Sequence, residues 1–316
     1  MKASLVVPTF RKLALLEETL ATLEGEPAER FEVVVASDGS PDGTNEFLRG
    51  YRPPYPLVPV LLDHNVGRAA ARNAAIERTS HEIVIFLDDD MRVEPGFVDA
   101  HLAFHAAGPP GDRRAGVGDV NERAEVRSTP IGRYMATRGA HKILDQAPLP
   151  WRYFTSNNSS VRRADLVAVG GFDARYRAYG FEDTDLGLRL ERKRGVRFGF
   201  VPAARSTHLE LYGLADVLAK KRICGEQSLR LFLADHPETL PELGLDRWLV
   251  LSGPEALVGR PHVRAPFGPL FTPWARDAAL RWVRAAGDRV PDELFDFLVL
   301  WHFVAGLRKP AGTPAT

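Results

Sequence analysis

The sequence predicts an α/β protein, a mostly parallel sheet flanked by helices and followed by a helical C-terminal extension. Three observations predict it. Short β-branched runs alternate with helix-period segments through the first hundred residues, the pattern of parallel strands joined by crossover helices. One run, Ile83-Val84-Ile85-Phe86-Leu87, is apolar at every position, as a strand covered on both faces must be. The last hundred residues carry mainly helical patterns.

Taken in order, Ser4 to Pro8 is the first strand and Thr9-Phe10-Arg11 a loop. A helix follows with Leu13, Leu16, Leu20 and Leu23 at apolar positions, ending near Gly25. Phe31 to Ala36 is the second strand. It runs into Ser37-Asp38-Gly39-Ser40-Pro41-Asp42-Gly43, a cluster of turn formers suited to opening a helix through Thr44 to Leu48. Val58 to Leu62 is the third strand, and His64 to Arg68 opens an Ala-rich helix from Ala69 to about Glu77. The fourth strand is Ile83 to Leu87. Residues 108 to 150 are irregular: 108 to 114 reads as a mobile loop, and Met135 to Leu144 takes no assignment. A short helix from Ala164 to Val169 stops at Gly170-Gly171. Phe181 to Arg194 is helical, with acids in its first turn and Arg192 to Arg194 in its last, as the helix dipole favours. Val196 to Val201 is a strand with His208 a few residues beyond. Helical patterns then cover Asp216 to Ala234, Trp274 to Ala286 and Asp292 to Leu307.

Composition narrows the class. The 316 residues contain 45% hydrophobic and 26% charged residues, an ordinary soluble balance. Lys+Arg and Asp+Glu stand at 41 each, so charge gives no reason to expect nucleic acid. Cys224 is the only cysteine, which excludes an intramolecular disulfide and a Cys-rich zinc site. The N-terminal apolar stretch is too short for a signal peptide, and the segment Leu294 to Leu307 is too short to span a bilayer. A cytoplasmic protein is expected, with peripheral contact at the inner face of the membrane left open. The apolar last helix completes the core, pairs with a second copy as a homodimer, or rests on a membrane.

The chemistry starts at Asp88-Asp89-Asp90. Three carboxylates at the end of a buried strand repel one another unless a cation neutralises them, and strand carboxyl ends are where open α/β sheets bind ligands. A divalent ion or a cationic ligand is the expected partner.

The flanking motifs extend this. Ser4 to Phe10, Ser37 to Thr44, Asn65-Val66-Gly67 with Ala71-Arg72-Asn73, and Phe86 to Asp90 follow the order and spacing of family 2 glycosyltransferases. Gly170-Gly171-Phe172-Asp173 and Gly180 to Leu186 continue the match, and the latter also resembles the acceptor-side segment of galactosyltransferase-like enzymes. The resemblance covers roughly residues 3 to 210. It implies a GT-A fold, Rossmann-like, with a glycosyltransferase domain at 1–210 (nucleotide-sugar half 1–105, acceptor half 106–210) and a helical extension at 211–316.

The resemblance further implies an inverting, metal-dependent transfer from a nucleotide-sugar, UDP-linked by preference, to a hydroxyl of a carbohydrate, lipid-linked or other acceptor. Cell-surface polysaccharide, glycolipid or glycoconjugate synthesis would use such a reaction. Pro8, Thr9 and Phe10 would wall the base and ribose pocket, and Asp38 would accept a hydrogen bond from the base N–H, or else only shape its turn. Asn65 and Gly67 would bring backbone close to the donor, with Arg72 as a fixed cation or a surface ion-pair residue. Asp88 would contact the ribose or a water on the ion, Asp89 would belong to the donor-binding set, and Asp90 would bind the ion itself, Mn²⁺ or Mg²⁺. His208 would be a second metal ligand, and an imidazole there favours Mn²⁺. Asp183 is the expected general base, with Glu182 its rival and an acceptor contact. Asn157 and Asn158 would bind acceptor hydroxyls or form a turn.

Three rival functions share parts of this pattern. A sugar-nucleotide pyrophosphorylase of related fold needs a Gly-rich loop after the first strand, where this chain has Pro8-Thr9-Phe10-Arg11-Lys12. A haloacid dehalogenase-type phosphatase places its acids after the first strand and not the fourth. A non-catalytic nucleotide-sugar or carbohydrate-binding relative would be expected to lose the metal acids or the base, and both are present.

Overall fold

The computed structural model describes residues 1–109, 111–137, 148–250 and 262–308. Pro110 of the expected mobile loop and residues 138–144 of the unassigned stretch lie outside them. The strands of the main sheet are β1 (Ala3–Thr9), β2 (Phe31–Asp38), β3 (Leu57–Leu62), β4 (Ile83–Leu87), β5 (Met91–Val93), β6 (Arg114–Glu122), β7 (Asn158–Arg162) and β8 (Arg197–His208). The helices among the described residues are α1 (Leu13–Thr22), α2 (Thr44–Gly50), α3 (Arg68–Glu77), α4 (Phe97–Ala106), α5 (Ala124–Arg127), α6 (Pro130–Ala136), α7 (Arg163–Ala168), α8 (Glu182–Arg194), α9 (Leu214–Glu226), α10 (Ser228–Asp235), α11 (Pro273–Ala286) and α12 (Asp292–Leu307).

The strand order is β3-β2-β1-β4-β7-β6-β8-β5. The first four strands are parallel, β7 runs antiparallel between β4 and β6, β6 and β8 are parallel, and β5 closes the edge antiparallel to β8. The mixed α/β architecture is the one expected. Alternation along β1, β2 and β4 explains both layers. Leu5, Val7, Val33, Val35, Ile83, Ile85 and Leu87 join α1 residues Leu16 and Leu20 and α4 residues Phe97 and Leu102 in one core cluster. Val6, Val34, Val84 and Phe86, on the alternate positions, are equally buried. α3 packs on β1 and β2, and its Ala69, Ala71 and Ala75 are small enough to let the helix lie close to the sheet.

Two expectations are corrected. The irregular middle hides a central strand, β6, and a second unassigned strand, β7, follows it at Asn158–Arg162; their Gly, Ser and Asn content masks the β pattern. The single helix expected over Asp216 to Ala234 is two helices that break at Gln227. By contrast, α7 ends as its glycines require: Gly170 and Gly171 take φ of 81° and 65°, and Gly171 N–H donates to Leu166 O at 3.0 Å.

The chain forms two compact units. One comprises Met1–Arg123, Ala136–Arg177 and Glu182–Leu211; the other comprises Ala124–Met135, Ala178–Phe181 and Tyr212–Thr316. The first holds the whole eight-stranded sheet. In the second, α9 packs along α12, and Val217 shares a cluster with Ile131, Tyr134 and Phe295. On α11, Trp274 and Trp282 stand 74% and 48% exposed. No helix among the described residues is long and apolar enough to cross a membrane.

Candidate active site

The carboxyl ends of β1, β2 and β4 are adjacent in the sheet, so the loops that leave them meet at one place. The first wall is Pro8-Thr9-Phe10, with Arg11 stacked over the Phe10 ring at 4.9 Å. Asp38, at the end of β2, is buried. Its Oδ1 accepts Val66 N–H at 2.7 Å and its Oδ2 accepts Gly67 N–H at 3.0 Å. The carboxylate therefore fastens the Asn65–Gly67 loop across the strand ends, and a second lone pair on each oxygen remains. Gly39 makes this possible. It takes φ of 67°, and a Cβ there would sit 2.5 Å from the carbonyl carbon of His64.

The triple acid is fixed by α1. Thr19 Oγ1 donates to Asp89 O at 2.9 Å and accepts Met91 N–H at 3.1 Å, which bends the chain from β4 into β5. Met91 pairs with His208 across the sheet edge, and Glu122 of β6 lies opposite His208 on its other side. The register thus brings an imidazole from β8 to the acids of β4. His208 Nε2 lies 3.5 Å from Asp90 Oδ2, and its Nδ1 lies 3.3 Å from Glu122 Oε2. Burial opposes charging this ring, but the hydrogen bonds to Asp90 and Glu122 outweigh it and push its pKa up to about 10. Asp90 shows the converse. Burial raises its pKa, yet His208 and Lys12 together hold it well below the usual carboxylate range.

Asp90, His208 and Glu210 each offer a ligand atom, and these atoms all lie within 4.8 Å of one another. Asp90 Oδ1 is also buried and accepts no hydrogen bond. Once the imidazole gives up its proton, it forms with the two carboxylates and the orphaned carboxylate oxygen a donor set that fits a divalent ion. Glu122, on the far nitrogen of His208, could orient the imidazole as an outer carboxylate would if His208 held an ion. Lys12 reaches into the same cluster. Its Nζ lies 2.6 Å from Asp90 Oδ2, 3.4 Å from Glu210 Oε2 and 3.9 Å from Asp89 Oδ1.

Arg72 is not a surface residue. It is buried beneath the site over the Phe172 ring, with Nη2 2.7 Å from Asp88 Oδ1 and Nη1 3.2 Å from Glu182 Oε1. One guanidinium so ties the end of β4 to the first turn of α8. Asp183, next along that turn, has its pKa raised to about 7. Burial is the main cause and repulsion from Glu182 adds to it, while the Arg72 charge works the other way. Asp89 is likewise raised to about 7 by burial, against the pull of Lys12.

Most of the expected residues are therefore brought to one end of the sheet. Asn158 is a correction. It opens β7 fully buried, with Oδ1 2.9 Å from His101 Nε2 and Nδ2 donating to Ala204 O and Ser206 Oγ at 2.9 Å. Strand alternation turns it inward, and its amide is engaged within the fold. Asn157 is half-buried and accepts Thr155 Oγ1–H at 2.8 Å. Glu182 is buried against Arg72 and is not open to an acceptor. Sequence reasoning missed Lys12, Glu122, Glu210 and Asn73. The spacing His208-Leu209-Glu210 could have suggested Glu210, since alternate residues of an extended chain share a face. Asn73 clamps Phe172 by Nδ2 to its carbonyl and Oδ1 to its N–H, both at 2.8 Å, a pairing only the fold reveals.

Residues 4–169 match glycosyl transferase family 2. The chain belongs to that family. Residues 140–212 also match the N-terminal domain of galactosyltransferase. Among curated relatives, the uncharacterized glycosyltransferase YfnE of Bacillus subtilis is 28% identical over 260 residues, 66% of this chain and 65% of that protein. The validoxylamine A glucosyltransferase of Streptomyces hygroscopicus subsp. jinggangensis is 29% identical over 271 residues, 76% of this chain and 62% of that protein. The chain therefore spans somewhat less than two thirds of the length of these relatives. Among solved structures, a mannosyltransferase from Pyrobaculum calidifontis in complex with GDP-Man and Mn²⁺ aligns with TM-score 0.64 at 20% identity, covering 96% of this chain and 85% of that one. That likeness establishes the GT-A fold for this family 2 member.

Proposed function

We propose that this family 2 protein transfers a sugar from a nucleotide-sugar, UDP-linked by preference, to a hydroxyl of a carbohydrate or lipid-linked acceptor, with inversion and with a divalent ion. The observation that carries the proposal is Asp183. It is a carboxylate at the start of α8 with a pKa raised to about 7, tied through the Arg72 charge to the acids at the end of β4. A base that titrates near neutrality, beside a donor site, is what removal of a hydroxyl proton needs.

The donor base lies against Pro8-Thr9-Phe10, and the lone pairs that Asp38 keeps free are suited to a base N–H. Asp38 also sets the Asn65–Gly67 backbone that encloses the donor. Asp90, His208 and Glu210 would hold the ion, which would supply positive charge to the departing diphosphate. Asp183 takes the acceptor hydroxyl proton as that oxygen attacks the anomeric carbon. The bond from that carbon to the phosphate oxygen breaks on the opposite face, its electron pair leaves with the nucleoside diphosphate, and the anomeric centre inverts. Arg72 pairs with Asp88 and Glu182, the two acids whose charges raise the Asp183 pKa, and Asp183 beside them is the carboxylate that takes the proton. Peripheral membrane contact through the second unit belongs to the same proposal, supported by the exposed Trp274 and Trp282.

The deciding experiment compares wild type with Asp183→Asn against UDP-, GDP- and dTDP-sugars plus Mn²⁺. Nucleotide binding followed by thermal shift should persist in the variant while sugar transfer is lost. Transfer retained by Asp183→Asn would remove it as the base.

A further inference from the structure

We propose that Lys12 is a built-in counter-ion of the metal pocket, and that it exchanges with the divalent ion when a nucleoside diphosphate arrives. Metal and nucleotide then bind as a linked pair. The inference rests on the metal reading proposed above and extends it to a residue outside the candidate ligand set.

Three observations support it. The first is competition for the same groups. Lys12 Nζ is 2.6 Å from Asp90 and 3.4 Å from Glu210, two of the three candidate ligands, and 3.9 Å from Asp89. An ammonium and a divalent ion cannot both lie against Asp90 and Glu210 without mutual repulsion in this partly buried setting. One must leave for the other to bind.

The second is that Lys12 has a route out. Its side chain is 30% exposed, whereas that of Asp90 is 5% exposed. The four-carbon stem is flexible and its charge is a point donor without fixed geometry, so the head can swing while the acids stay fixed. The third is where it starts. Lys12 directly precedes α1 and follows Arg11, a non-glycine residue at φ of 58°. That left-handed residue turns the chain from the Pro8-Thr9-Phe10 wall so that Lys12 reaches back over the strand ends. A nucleoside diphosphate bound along the wall brings negative charge next to the ammonium, and lysine is a good point-charge partner for phosphate. Lys12 then moves from carboxylate to phosphate while the ion takes the carboxylates. Each anionic group keeps a cation throughout, and the two ligands favour each other by linkage.

Calorimetric titration of the full chain with MnCl₂, with and without saturating UDP or GDP, tests this on wild type, Lys12→Gln, Lys12→Ala and Lys12→Arg. Wild type should bind Mn²⁺ at least about tenfold more tightly with nucleotide than without, the size of an ordinary coupling. Both neutral variants should bind Mn²⁺ alone about tenfold more tightly than wild type, with a smaller gain from nucleotide. Lys12→Arg keeps a cation and should behave like wild type. Equal or weaker Mn²⁺ binding by the neutral variants, folded by circular dichroism, overturns the role of Lys12 alone. Absence of Mn²⁺ binding in every variant with and without nucleotide removes the metal centre itself, and the inference falls with it.

Discussion

Arg72 and Glu182, 110 residues apart, form an ion pair at 3.2 Å in which both side chains are almost completely buried. Truncating one member of such a pair leaves an uncompensated charge in the interior. Arg72→Leu should therefore lower the free energy of unfolding by about 3–5 kcal/mol in urea titration, with a parallel fall in melting temperature. Arg72→Lys keeps the charge but cannot reach Asp88 and Glu182 together as a fork, and should fall between wild type and Arg72→Leu.

Asp183 should set the acid limb of the activity profile. With its pKa raised to about 7, the base is protonated below that pH, so kcat/KM should rise as pH increases and level off above it. Asp183→Asn should lose about 10²–10⁴-fold in turnover and abolish this limb.

The same carboxyl gives a stability prediction of opposite sign. Its folded pKa lies above the ordinary value of 3.8, so the folded state holds this proton to higher pH than the unfolded chain. Stability from this group is therefore lost as pH rises from about 4 to about 7, and the full penalty persists above. After allowance for partial solvent screening, Asp183→Asn should be more stable than wild type by about 1–2 kcal/mol at pH 8 and nearly unchanged at pH 4. Thermal melts at the two pH values would show whether the gain is confined to the higher one.

Glu122 Oε2 lies 3.3 Å from His208 Nδ1, on the ring nitrogen away from Asp90. Glu122→Gln should weaken Mn²⁺ binding by about 10–100-fold, the usual cost of removing an outer carboxylate from a metal-binding imidazole. Chelation with EDTA should suppress transfer in wild type, and Mn²⁺ should restore it better than Mg²⁺.

Gly39 meets both a backbone and a space constraint. Gly39→Ala places a Cβ 2.5 Å from the His64 carbonyl carbon at φ of 67° and should cost about 1–3 kcal/mol in stability. Because His64 leads into the loop that Asp38 holds, nucleotide affinity should fall as well.

The parallel half of the sheet and its acids could be read from the sequence because local patterns encode them. β4 is apolar at every position and Asp88-Asp89-Asp90 follows it directly. Other features are set by partners distant in the chain. β6 and β7 are covered by neighbours rather than by their own apolar content, so no alternation marks them. Asn158 resembles a turn residue in sequence, and only the His101 ring beneath it shows why an amide is buried there. Lys12 looks like an ordinary loop cation until Glu210, 198 residues later, is placed beside it. Arg72 belongs to a recognisable motif, but its neighbours, one of them on α8, make it an internal strut rather than a donor-facing cation.

The pairing of β5 with β8 has a consequence for how the protein is made. The acids are synthesised with the first ninety residues, whereas His208 and Glu210 reach them only after β8 has threaded between β6 and β5 at the sheet edge. Until then Lys12 beside Asp90 and Arg72 beside Asp88 are the cations that can quiet the like charges, and both are already present in the first ninety residues. A slip of one residue in β8 would turn the imidazole to the opposite face of the sheet. The Asp90–His208–Glu210 cluster is thus a late product of folding, assembled when β8 has found its register.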